Sequence, residues 1–233
     1  MTGRRWVLGA LGGMVLAATA ALAQDGGLPV LDLGPGILSD AGAGALHQSL
    51  VNRYGDGTRT APGRNAASLT YTSGTALRRQ AAADYVARID DPEAAAAMRH
   101  QLEQHDYDRI YQGLTRPFGL AANDVADAMT AYTILGWIIV NGAGDPDPRS
   151  VKAARDQIAL GLAANPALRS AADRARLGEE FKLLFVTIHA GWQAARREGT
   201  LAEYGAGVAE LFATRSGLDL RRLRLTDRGL AGG

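Results

Sequence analysis

The chain has 233 residues, 47% of them hydrophobic and 21% charged, with 25 basic side chains against 24 acidic ones and no cysteine. Such a length suits one domain with a sizeable core, and the near-zero charge offers no global field for nucleic acid or an anionic membrane. The missing cysteine excludes a disulfide framework, a thiolate nucleophile and a Cys-ligated zinc from this chain.

Residues 1–23 read as an export signal. Arg4 and Arg5 supply the positive start, WVLGALGGMVLAATA the apolar run, and Ala21-Leu22-Ala23 the small residues that a signal peptidase needs before Gln24. The run is short and interrupted by glycine, so cleavage after Ala23 is expected rather than a permanent anchor, with no integral membrane span left afterwards. The paired arginines fit a twin-arginine pattern only loosely, which favours the ordinary secretory route. The expected location is therefore periplasmic or secreted. Removing 1–23 takes away two arginines and no acid, leaving 23 basic against 24 acidic side chains.

Residues 24–68, with DLGPGILSDAGAGAL and YGDGTRTAPGRNAAS, are rich in Gly, Ala, Pro and Ser. Such a stretch buries too little apolar surface to offset its ordering entropy, so a flexible linker is expected, with a short helix around ALHQSLVNRY as the alternative there. From Thr75 the pattern is helical. Leu77, Ala81, Tyr85 and Ile89 recur at four-residue intervals. Asp91-Pro92-Glu93 and Asp147-Pro148 are helix starts, an N-cap followed by proline at the first helical position. A short helix over DYDRIYQGL is broken by RPFG. Phe181, Leu184, Phe185, Ile188, Trp192 and Ala195 form the stripe of the longest helix, and Thr200 with Glu203 has the spacing of a capping box for the last one.

Six or seven helices with short connections predict a single all-α bundle over residues 69–230. LTYT (69–72) and LRLT (223–226) alternate apolar and polar residues as half-buried strands do, and they flank the helices. They are expected to pair as a short two-stranded ribbon joining the bundle's ends.

The stretch LAANDVADAMTAYTILGWIIVNG (120–142) poses the sharpest question. From Ala128 to Val140 it is apolar nearly all round, too short to span a bilayer, and predicts a central buried helix. Asn123 is expected as its N-cap, with Asp124 and Asp127 favourable against the helix dipole. Asp127, a full turn in, gains little from that dipole. It reads as a buried carboxylate bonded structurally, for instance to an arginine of a neighbouring helix. The functional alternative is that Asn123, Asp127 and Thr130, at i, i+4 and i+7, form a polar stripe lining a site with Tyr132, Trp137 and His189 as further candidate binding residues.

FGLAANDVADAMTAYTILGW, together with LTYTSGTALRR and GLDLRRLRLT, resembles the signature stretches of a family of exported bacterial proteins known only as a domain of unknown function. The resemblance covers about residues 69–230. Asn123, Ala126, Asp127, Ala128, Tyr132 and Trp137 match its helix segment, and Ile138 departs from it where aromatics are common. It implies the fold and the export, and transfers no catalytic residue.

No complete catalytic constellation is legible: there is no GxSxG, phosphate-cradling loop or HExxH. His100 and Glu103, one turn apart, are the pair that could share a divalent ion, but a solvated helix end is the better reading, so no metal or other cofactor is expected. His189 reads as a core histidine at the edge of the apolar stripe. Arg221, Arg222, Arg224 and Arg228 read as a solvated basic tail rather than a site for anionic polymers. The leading expectation is a non-enzymatic helical binding or interaction module of the bacterial envelope, acting on an envelope protein or a small ligand and not on nucleic acid. One alternative is a hydrolase or metal-dependent enzyme using Asp127 with His189 or Thr130. Another is a structural or assembly protein, which would display a large exposed apolar patch.

Overall fold

In the computed structural model, residues 38–50 and 69–232 are described. The expected signal 1–23 and the linker stretches 24–37 and 51–68 lie outside the described residues. Eight α-helices follow in order: α1 (Asp40–Leu50), α2 (Thr75–Val86), α3 (Pro92–Gln104), α4 (Tyr107–Thr115), α5 (Val125–Asn141), α6 (Pro148–Ala163), α7 (Ala171–Glu198) and α8 (Leu201–Ser216). A hairpin of β1 (Leu223–Thr226) and β2 (Gly229–Gly232) closes the described chain. The all-α bundle expected from the periodicity is the fold. No helix among the described residues is long and apolar enough to cross a membrane.

Helix α5 is the axis of the core. It is buried from Val125 to Gly136 and again at Ile139, because apolar side chains on every face need neighbours on every face. α7 packs along its length, and α6 and α8 cover other sides. Tyr132 stacks on Phe212 of α8 with ring centroids 4.7 Å apart and sits 5.6 Å from Phe181 of α7. A Cβ at Gly136 would lie 2.6 Å from the Phe212 ring, so this glycine sets how closely α8 approaches.

Asp91 and Asp147 cap α3 and α6 as their proline pairs predict. Elsewhere caps differ. The N-cap of α5 is Asp124, not Asn123: its Oδ1 accepts from the N–H groups of Ala126 (2.9 Å) and Asp127 (3.1 Å). Asn123 lies in the preceding turn, its carbonyl accepting from Tyr71 N–H (3.0 Å), while Asp124 is extended and Val125 N–H donates to Leu69 (3.1 Å). This short bridge between 70 and 124 postpones the helix by one residue. The capping box at Thr200 does not form either. Thr200 N–H donates back to Ala195 as part of the α7 terminus, and its backbone is not extended as a cap requires.

The ribbon is present, but its pairing differs from the one expected. β1 pairs with 229–232 through a turn at Asp227 and Arg228, and 69–72 bridges Asp124 instead. The hairpin is anchored from two helices: Trp137 Nε1–H of α5 donates to Leu223 (2.9 Å), and Gln157 of α6 donates to and accepts from the backbone of Leu230. That support suits a two-stranded ribbon, which is marginal alone.

The linker expectation is corrected over residues 38–50. Leu38, Leu46 and Leu50 are fully buried, and α1 lies so close to α6 that a Cβ at Gly161 would sit 2.4 Å from the Ser49 Cα. Its entry is latched: the N–H and hydroxyl of Ser39 donate to Glu180 of α7 (2.7 and 2.8 Å), and Arg215 of α8 donates to the Leu38 carbonyl. Three leucines and a polar latch suffice to order a segment whose glycine and alanine content reads as loose.

Candidate functional site

Where α5 begins, the chain has just turned through Arg116–Phe118, a 3-10 turn released by Gly119 at φ 75°. This turn stands opposite the first turns of α6, and between them opens a cleft of about 630 Å³. Asp127 lies at its base and joins the two walls. One carboxylate oxygen, Oδ2, accepts from Ala121 N–H on the turn side (2.6 Å); the other, Oδ1, accepts from Arg155 Nε–H of α6 (2.5 Å). Arg155 also faces Asp124 Oδ2 at 3.2 Å and Asp156 at 3.8 Å. Burial raises the Asp127 carboxyl above the usual carboxylate range, with the Ala121 N–H and Arg155 opposing the rise. Burial alone would lower Arg155, but Asp127 and Asp124 outweigh it and hold the guanidinium above its ordinary value.

The rest of the cleft divides by chemistry. Pro117, Phe118, Leu120 and Pro148 make an apolar side; Arg149, Lys152 and Arg155 bring three cations. Lys152 pairs with Asp156 at 2.7 Å, but both are well exposed, so the pair is weak. A second crevice, between Met98, Tyr107 and Val186, has about 20 Å³ and is apolar, with room for one water at most.

Of the residues singled out in the sequence, Asp127 lines the cleft, buried and bonded to an arginine of the next helix. The stripe does not continue past it. Thr130 is fully buried and its hydroxyl donates to Ala126 (2.6 Å). Asn123 contributes its main chain to the bridge. Tyr132 is within the aromatic core and Trp137 holds the hairpin. His189 lies on α7 between Phe185 and Trp192, 3.4 Å from Gln193, and is not hydrogen-bonded to Asp127. Burial, helped by Arg196, lowers its pKa to about 4. His100 and Glu103 are exposed on α3, and no group of three His, Asp or Glu that could hold a metal occurs among the described residues.

Two groups of residues escape a reading of the sequence. Arg155 and Phe118 are one; Arg155 takes its role from Asp127, 28 positions away, and Phe118 from a cleft whose other residues include α6. The other is a sealed ion cluster. Lys182 of α7, fully buried, lies 2.6 Å from Asp108 of α4 and 2.7 Å from Glu179. Tyr107 donates its hydroxyl to Glu179 (2.6 Å), and Arg78 of α2 and Gln112 donate to Asp108 (2.8 and 2.9 Å). The rings of Tyr71 and Tyr111 sit 5.7 and 6.0 Å from the Lys182 ammonium. Burial, then Glu179, pushes the Tyr71 and Tyr107 hydroxyls well above their ordinary value. One signal was available: a lysine inside the apolar run FKLLF, one turn after Glu179, in a chain whose one other lysine is Lys152.

The chain belongs to a family of unknown function (DUF6683), which it matches over residues 47–231. No curated protein and no solved structure matches it.

Proposed function

We propose that this chain is an exported, non-enzymatic helical binding module of the bacterial envelope, and that its ligand occupies the cleft between the Arg116–Phe118 turn and α6. The observation that carries the reading is the cleft itself. It is open, has a volume in the range of small-molecule sites, and joins an apolar wall to fixed polar groups at its base. The hydrolase alternative needs Asp127 to work with His189 or Thr130, yet both Asp127 oxygens are engaged by Ala121 and Arg155, and Thr130 donates into its own helix. An assembly role based on an apolar patch has little support, since Leu201 is the one large apolar side chain exposed among the described residues.

Two measurements test the proposal. Intact-mass analysis of protein from a bacterial host should show a chain beginning at Gln24; retention of residues 1–23 on membrane-bound protein overturns the export. Amide NMR of the full chain titrated with naphthalene-bearing probes of positive, zero and negative charge should shift signals of residues 117–121 and 148–155 with at least one of them. Shifts confined to other regions, or none, remove the cleft as the binding site.

A further inference from the structure

Resting on the cleft as the binding site, we infer that its ligand is an amphipathic anion: a carboxylate or phosphate head group on a flat apolar body. Among the cleft-lining residues three are cations and one, Asp127, is a carboxylate. The carboxylate has no oxygen to spare, because one is bonded to Ala121 and the other to Arg155. An incoming group therefore meets donors rather than acceptors.

The three cations are unequal. Arg155 is clamped by Asp127 and Asp124 while about 31% of its side chain stays accessible. It is already ordered, so a ligand contacting its free edge loses little further side-chain freedom. Arg149 is exposed on the first turn of α6 and its planar fork matches two oxygens of one head group. Lys152 is tied only to Asp156 in a pair where both partners are solvated, and a ligand anion exchanges with such a partner at little cost. These charges stand beside Phe118 and Leu120, with Pro117 and Pro148 stiffening the two edges. A small inorganic anion would leave this apolar side wet; a neutral apolar molecule would leave the cations without an acceptor. A ligand carrying both parts uses the whole cleft.

The test compares probes with one body and different heads on the full chain: 2-naphthoate, 2-naphthyl phosphate, 2-naphthamide and 2-naphthylmethylammonium, each titrated at low salt and followed by amide NMR. Both anions should shift residues 117–121 and 148–155 and bind about tenfold or more tighter than the amide, as expected for hydrogen bonds between charged groups. Their affinity should fall with added salt. The order of carboxylate and phosphate then assigns the head group. The double variant Arg149→Glu/Lys152→Glu alters two exposed side chains, so its fold should persist, and it should lose the anions and gain the ammonium probe. Cleft shifts of equal strength for all four heads, or a preference for the ammonium probe in the unmodified chain, overturn the anion assignment while leaving the cleft as a binding site. If no probe shifts the cleft, the assignment and the reading beneath it fall together.

Discussion

Asp127 with Arg155, and Lys182 with Asp108 and Glu179, are assembled from the same chemistry and differ in their access to water. Each joins elements through ion contacts of 2.5–2.7 Å. In the Lys182 cluster the central charges are turned inward: the lysine and Glu179 are fully buried, and Tyr107, Gln112 and the part-exposed Arg78 take the remaining carboxylate oxygens. Nothing is left over for a ligand, and the cluster's effect is to fix α2 and α4 against α7. At the cleft the carboxylate is equally spent and Arg155 is about as accessible as Arg78, but two looser cations stand beside it around an open cleft. Buried ion pairs thus specify the fold at both places, and the difference lies in what adjoins the part-exposed arginine: an open cleft with two further cations at Arg155, and no such cleft at Arg78 among the described residues.

The contrast is most exposed to failure at Lys182. Lys182→Met fills the space but leaves two sealed carboxylates without their cation, and should cost about 3–5 kcal/mol. A lower urea midpoint at constant slope measures it. Neutralising the partners as well, with Glu179→Gln and Asp108→Asn, should recover a large part. A loss under about 1 kcal/mol for Lys182→Met would mean that water reaches the cluster.

Asp127 should be less critical to stability. Asp127→Ala removes two charge-assisted bonds, but Arg155 retains Asp124 and solvent, so about 2 kcal/mol is expected. Asp127→Asn keeps one acceptor and turns an amide N–H₂ towards the other donor, for about 1 kcal/mol. Equal losses for Lys182→Met and Asp127→Ala in the same urea series would erase the distinction between the two clusters.

Acid acts with opposite sign on His189, outside both clusters, and on Asp127. The folded pKa of His189, about 4, lies below its ordinary 6.5. The stability it contributes is complete above about pH 6.5 and is lost as pH falls towards 4, by about 3 kcal/mol. His189→Gln should flatten that part of the pH–stability curve. Asp127 runs the other way: its folded pKa is raised, so the folded state takes up the proton first and this residue adds stability on acidification. Protonation also removes the one negative charge among the cleft-lining residues, while Asp124 and Asp156 stay beside Arg155. Binding of 2-naphthoate, followed above the probe's own pKa, should therefore tighten as the pH falls and Asp127 takes up its proton, and Asp127→Asn should abolish that dependence. A weaker binding on acidification would contradict the assigned cleft electrostatics.

How far the sequence led can be traced through single residues. Asp91-Pro92 and Asp147-Pro148 start helices where they should, because capping is satisfied by neighbours within three positions. The burial of α5 was legible for a related reason: apolar residues on all faces leave no other environment for the segment. Family membership, too, was carried by contiguous stretches. The choice of Asp124 over Asn123 as cap was not legible, since it depends on a bridge to Thr70 formed from more than fifty positions away. Nor was the hairpin, because Gly229–Gly232 lacks the alternation that marks a strand and is held by Gln157 and the turn. α1 was legible only as the alternative of a short helix around ALHQSLVNRY; its glycine and alanine hid the rest, and their burial is decided by the groove that Gly161 opens for Ser49.

The cleft lies furthest from what sequence reading can reach. An acid out of place a turn inside an apolar helix was visible in the order of residues, and a buried bond to a neighbouring arginine was a sound expectation for it. Which of the chain's many arginines, and whether the meeting point would be sealed or open, was decided by how α6 packs on α5 and where the Arg116–Phe118 turn meets α6. Local hydrogen bonds and periodicity are properties of neighbouring residues and survive in the sequence. A cavity is the space that packed elements fail to fill, and it exists only once their relative positions are set.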